Sequence, residues 1–206
     1  MSTGRLEAFS DGVIAVAITL LVLNIQVPNP DALGGGCHTL SCALARQWPV
    51  YAAFVTSFLT IGIIWINHHV MIRRLRQPDH MILFLNLLLL MSIAVLPFAT
   101  SLMATYLKES QGQHLAAVVY SGAFLVMAVS FAALNRHVLL VKPHALREEI
   151  PLERRRQIFA RTITGLIPYA IATALAVISP YVTLGICAAL AIFYAFPIAS
   201  GGAAGT

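Results

Sequence analysis

Arg5, Glu7, Ser10 and Asp11 stand at the head of an apolar run from Gly12 to Leu23 that only Thr19 interrupts. A carboxylate taken into a bilayer on a helix costs about 2.5–3.5 kcal/mol at the centre and less near the ends. A helix that served only as an anchor would not carry Asp11, so this one is expected to line or support an ion path. Two other stretches offer polar groups at matching depth, Asn67-His68-His69 and Asn86. A network of Arg5, Ser10 and Asp11 with His68 or His69, and with Asn67 or Asn86, would satisfy these groups inside protein, as hydrocarbon demands. Its histidine would bring a group that titrates near neutral pH. No Ser/His/Asp or Cys/His constellation, phosphate loop or HExxH spacing stands out. Adjacent residues on a helix point about 100° apart, so the tandem His68-His69 does not read as one metal site, and no metal is expected.

The elements that must position these residues are membrane helices. The chain has 206 residues, 59% hydrophobic and 10% charged, with mean hydropathy +0.82, against about 25% charged in soluble domains. Six stretches, roughly 6–27, 48–71, 80–106, 114–141, 158–178 and 180–198, are long and apolar enough to span. The expected fold is all-α, an integral membrane protein with one six-helix transmembrane domain over residues 1–206. No room remains for a soluble catalytic domain, so an enzyme is not expected.

A net charge of +5 would suggest nucleic acid in a soluble protein, but here it follows topology. Arg5 precedes the first span, and Arg73, Arg74 and Arg76 follow the second. Arg136, Lys142, Arg147, Arg154, Arg155, Arg156 and Arg161 surround the connection from fourth to fifth. Arg46 and Lys108 alone fall on the other side. The positive-inside rule then puts both termini of a multi-pass protein in the cytoplasm, which requires an even number of spans. The partner expected on this ground is the lipid bilayer, with no nucleic acid.

Smaller signals fill in the frame. Val27-Pro28-Asn29-Pro30 stops the first span. The outward loop from Asp31 to Gln47 holds Gly34-Gly35-Gly36 and two cysteines, Cys37 and Cys42, whose spacing leaves a disulfide open if that side is oxidising. Pro97 predicts a kink in the third span. The fourth is rich in small residues that suit close packing. Lys142 to Arg161 reads as a solvated helix with i,i+4 pairs near anionic headgroups. Ser179-Pro180 makes a tight hairpin between two packing helices, and Ser200 to Thr206 reads as flexible.

On the first helix, Gly12, Val16, Thr19, Leu23 and Gln26 recur at steps of four and three and form one stripe, flanked by Leu20 and Val27. A single helix encloses no pore, and six helices leave little room inside one subunit. A conduit would need a symmetry axis, with one copy of this helix from each subunit. Rings of Val16, Leu20 and Leu23 would then gate by dewetting, and Thr19 would offer hydroxyls to a partly dehydrated cation. A stripe that only packs against other helices has the same periodicity, and spacing leaves both readings open.

Arg5, Phe9, Ser10, Asp11 and Gly12 spell Arg-x-x-x-Phe-Ser-Asp-Gly at the mouth of this helix. The motif, with the six spans behind it, resembles the transmembrane protein 175 family, the lysosomal potassium channels and their bacterial relatives. The resemblance implies a six-helix subunit, a homotetramer with a central pore, and a potassium-permeable channel without a carbonyl selectivity filter. It implies that the first helix lines the pore. Its apolar constrictions would lie five, nine and twelve places after the motif aspartate, at Val16, Leu20 and Leu23, with a hydroxyl eight places after, at Thr19. The family often has Ile or Leu where this chain has Val16, which moves the narrowest ring to Leu20 or Leu23 and makes selectivity over sodium modest. Arg5, Phe9, Ser10 and Asp11, with His68, His69 and Asn86, would act as a polar clasp between helices rather than as ion ligands. The resemblance also implies monovalent cations as partners, with permeant K+ the only ligand and no cofactor, and a place in the inner (plasma) membrane of the cell. Two other classes compete: a proton-coupled secondary transporter using Asp11 and His69, and a membrane-embedded enzyme or metal chaperone centred on His68 and His69.

Overall fold

The computed structural model describes residues 2–29 and 39–196. Their architecture is helical. α1 (Thr3–Leu20) continues as a 3-10 turn, Leu21–Asn24, and the short α2 (Leu40–Arg46) precedes α3 (Trp48–Arg73). α4 (His80–Tyr106) and α5 (Gln113–Arg136) follow, the latter prolonged by a π turn at His137–Val141. α6 (Leu152–Thr164), α7 (Leu166–Leu175) and α8 (Pro180–Ala195) complete the described chain. Five runs are long and apolar enough to cross a membrane: Thr3–Asn24, Trp48–Arg73, His80–Tyr106, Gln113–Val141 and Leu152–Leu175. α8, with 16 residues, falls short of the roughly 20 that a bilayer core requires. The expected stretch 180–198 therefore has a described helical part that stops at Ala195. The glycine run 34–36, Cys37, on which any pairing with Cys42 depends, and Ser200 to Thr206 lie outside the described residues.

Helix ends differ from the sequence reading in informative ways. The first helical run stops at Asn24, not Val27, and Ile25 is extended (φ −85°, ψ 103°). The residue before a proline is disfavoured in helical conformation, so Pro28 unwinds the chain ahead of itself. Asn24 Nδ2 also donates to Pro97 O at 3.4 Å, which docks this end on α4. Gln26 and Val27, placed on the stripe by helical spacing, lie beyond the helix. α4 runs through Pro97 without interruption. The fifth run starts at Leu152 rather than 158, and its only interruption is Gly165, whose backbone stays in the helical region.

α5 lies at the centre of the bundle and packs most extensively on α4. Ala116, Ala117, Ser121, Ala128 and Ala132 are buried on it, and small side chains let helix backbones approach. Tyr120 and Phe124 fill the space beside them, with ring centroids 4.8 Å apart. Ser57 Oγ lies 2.8 Å from Thr100 Oγ1 and 3.3 Å from Tyr120 Oη, a buried polar set joining α3, α4 and α5.

The charged segment after α5 is not a free helix. Leu75 and Leu146 form a one-residue antiparallel bridge, flanked by Arg76 N donating to Ala145 O and Arg147 N to Arg74 O. Arg147 Nε donates to Leu75 O at 2.8 Å, and Arg155 donates to Ile150 O and Leu139 O. Among the described residues Glu148, Glu149 and Glu153 make no ion pair. Carbonyls in the connections and at the end of the π turn lack helical partners, and guanidinium groups satisfy them better than an exposed i,i+4 carboxylate satisfies an arginine.

Asp79 fixes the entry of α4. Its carboxylate accepts from Ile82 N at 2.8 Å, and Oδ2 lies 3.3 Å from His137 Nε2 and 3.9 Å from Lys142 Nζ. Desolvation pushes this carboxyl up, but the Ile82 amide, His137 and Lys142 outweigh it, and its pKa falls below the ordinary 3.8. A depressed folded value contributes stability above the unfolded one, lost as pH falls through the folded value. Asp79→Ala is expected to destabilise the purified protein by about 1 kcal/mol at neutral pH. In thermal unfolding, its deficit against the parent should hold down to pH 5 and narrow below 3.8.

Candidate functional site

α1 has two unlike faces. Leu6, Ser10, Ile14 and Ala17 are buried along one, continued by Leu21. On the other, Val16, Leu20 and Leu23 are 58, 43 and 70% exposed, and Gly12 and Thr19 are exposed with them. The 3-10 turn sharpens this stripe. Residues i and i+3 eclipse in a 3-10 helix, so Leu23 stands over Leu20 instead of drifting around the axis. Thr19 Oγ1 donates to Val16 O at 2.9 Å. Its one proton is thus engaged, and its lone pairs remain as acceptors. A groove of about 550 Å³ runs beside the stripe, from Phe9 and Gly12 to Val16 and Leu20, with Ala94 of α4 on its far wall.

The starts of α1 and α4 meet the end of α3, and there the polar groups fall into two sets. The inner set is fully buried. Ser10 Oγ donates to Leu6 O at 2.8 Å, so it can only accept from Asn86 Nδ2, 3.0 Å away. That orients the amide with Oδ1 toward His68 Nε2 at 2.7 Å. The imidazole must therefore donate from Nε2, which fixes its tautomer. Ser10, Asn86 and His68 are 0, 0 and 1% exposed, and one chain of bonds ties α1, α4 and α3.

The outer set is half-buried. Asp11 Oδ1 accepts from Trp65 Nε1 at 2.9 Å. One turn earlier, Glu7 Oε1 lies 3.1 Å from His69 Nδ1, within ion-pair distance. The alignment does not make a hydrogen bond, and Nδ1 is buried without a hydrogen-bond partner. The Trp65 and His69 rings lie side by side, centroids 6.1 Å apart. Arg5, grouped with these residues on sequence, is exposed and makes no ion pair among the described residues. Asn67 turns to Ile63 O of its own helix, and Phe9 is 49% exposed. Sequence reasoning did not include Trp65 or Glu7 in the network. The available signal was spacing: Trp65 and His69 are i,i+4 on α3, as Glu7 and Asp11 are on α1, and an indole N–H at a membrane boundary seeks an acceptor.

The family described as endosomal/lysosomal potassium channel TMEM175 matches residues 5–97, a span that holds the stripe and both polar sets. A potassium channel of Streptomyces collinus is 43% identical over 194 residues, 94% of this chain and 92% of its own. The chain belongs to the transmembrane protein 175 family. A potassium channel of Chamaesiphon minutus is 41% identical over 200 residues, 94% of this chain and 93% of its own. The crystal structure of a lysosomal potassium-selective channel TMEM175 homolog from Chamaesiphon minutus matches with a TM-score of 0.82 at 39% identity, covering 94% of this chain and 96% of that one. Transmembrane protein 175 members are ion channels rather than enzymes. This member is a multi-pass membrane protein of that class, with potassium channels as bacterial relatives.

Proposed function

We propose that the chain is one subunit of a homotetrameric, potassium-permeable cation channel in the plasma membrane, its pore lined by four copies of α1. The observation that carries this reading is the exposed stripe. Val16, Leu20 and Leu23 remain uncovered while the opposite face of the same helix is packed. Around an axis they would form three apolar rings. Along α1 the carbonyls are engaged in helical hydrogen bonds except in the last turn, which argues against a carbonyl filter. Thr19, with its lone pairs free, would be the polar group that a partly dehydrated cation meets. Ser10, Asn86 and His68, with Asp11 and His69, clasp α1 to α3 and α4, while Arg5 and Phe9 complete the motif at its mouth. These residues position the pore helix and do not ligate the ion. Residues 1–206 act as one transmembrane domain, and K+ passes without a cofactor. Counting the short α8 as a sixth crossing would put both termini and the arginines of α6 on the cytoplasmic side, in line with the charge bias.

The test is a planar-bilayer recording of reconstituted protein with K+ on one side and Na+ on the other. Cation currents reversing toward the K+ equilibrium potential are expected, and no cation current would end the proposal. The half-buried carboxylates and His69 favour a second reading, a proton-coupled secondary transporter using Asp11 and His69. It requires saturable, pH-coupled uptake that Asp11→Asn abolishes. The bond from Trp65 to Asp11 supports a positioning role for that carboxylate instead.

A further inference from the structure

The outer polar set has chemistry that conduction does not use. Ligand atoms of Glu7, Asp11 and His69 all lie within 4.8 Å of one another. Two carboxylates one turn apart on a helix repel each other, and among the described residues no lysine or arginine pairs with either. The nitrogen that faces them, His69 Nδ1, is buried and lacks a hydrogen-bond partner. Trp65 Nε1 holds Asp11 by Oδ1, which leaves Oδ2 free, the outer-shell arrangement that orients a ligating carboxylate.

We propose that Glu7, Asp11 and His69 form a binding site for a divalent transition-metal ion of the Zn²⁺ type, bridging α1 and α3. One imidazole and two carboxylates are a nitrogen–oxygen donor set that suits Zn²⁺ better than the hard cations Mg²⁺ or Ca²⁺. Bonds of about 2.0–2.2 Å put the ligand atoms of a tetrahedral site about 3.4 Å apart. The Glu7–His69 pair, at 3.1 Å, is already close to that spacing. Rotation of half-buried carboxylates closes the remainder and leaves a fourth position for water. The tandem histidines are no obstacle, because only His69 takes part. His68 is engaged by Asn86 on the bundle side. The bound ion would cross-link the starts of the two helices beside the clasp, and the site needs no particular pore architecture.

The experiment is calorimetric titration of the purified full chain in detergent with ZnCl₂ at neutral pH. About one Zn²⁺ per chain is expected, with affinity about tenfold or more weaker in His69→Gln and in Glu7→Gln. The exposed His144 serves as control, and His144→Gln should bind as the parent does. No uptake by the parent, parental affinity in either variant, or loss in His144→Gln overturns the proposal. A second measurement leaves the donors intact. In a Trp48→Phe background the remaining indole is Trp65, beside His69, and Co²⁺ should quench its fluorescence until Zn²⁺ displaces it. Absence of quenching, or quenching that Zn²⁺ does not reverse, overturns the proposal equally. Both readouts are independent of ion flux, so failure here is separate from failure of the channel reading.

Discussion

Asn86→Ala is expected to destabilise the purified protein by about 2–5 kcal/mol, among the largest costs of any single substitution in the chain. Asn86 is the member of the inner set that bonds to both of the others. Its amide nitrogen gives to Ser10 and its oxygen takes from His68. Removing it leaves the His68 Nε2 proton without an acceptor in a region that water does not reach, at about 1–3 kcal/mol for one orphaned buried group. Lost packing against neighbouring side chains adds the rest. Asn86→Leu fills the volume but orphans the same proton, so it should recover little. Replacing both partners, Asn86→Leu with His68→Leu, removes the orphan and should cost less than the two single changes summed, because neighbours in one network do not add. Thermal unfolding followed by size-exclusion chromatography in detergent reads all four proteins. A loss under about 0.5 kcal/mol for Asn86→Ala, the range of an ordinary surface change, would mean that the inner set does not hold the helices together.

Leu20→Ala and Leu23→Ala should each raise K+ flux through reconstituted protein about tenfold, equivalent to about 1.4 kcal/mol off the barrier. A ring of leucines opposes passage by excluding water from the constriction, and alanine withdraws most of that apolar bulk from the axis. If the stripe faces the axis as proposed, the eclipsed placement of Leu23 over Leu20 would make the two rings successive barriers on one line, so the double variant should exceed either single one. Val16→Ala removes less bulk and should have the smaller effect. Val22 is the control. It is 51% exposed, like the stripe residues, but lies on the neighbouring face, so Val22→Ala should leave flux unchanged. Because all four positions are exposed in the subunit, none of these changes removes packing that holds it together. Flux identical across the Leu20, Leu23 and Val22 variants would turn the stripe toward lipid and remove α1 from the pore.

The sequence by itself determined the class of this protein. Its hydropathy and low charge dictate membrane helices, because an unpaired backbone group in hydrocarbon costs too much for any other described architecture here. The run from Arg5 to Gly12 marks the family, and the recurrence of Val16, Thr19 and Leu23 marks one face of one helix. Periodicity within a helix fixes which residues share a face, but it does not fix what that face meets. Tertiary structure decided that part. Ser10 and Asp11 are adjacent and so diverge by about 100°, as do His68 and His69. The rotation of α1 against α3 and α4 therefore sends one member of each pair into the bundle and the other outward. That rotation split a single expected network into two, gave Asp11 an indole partner, and brought Glu7 to His69. Likewise the arginines after α5 carry a charge bias that is legible in one dimension. The use of Arg147 and Arg155 as donors to backbone carbonyls of the connections and of the π turn depends on which carbonyls the folded chain brings within reach.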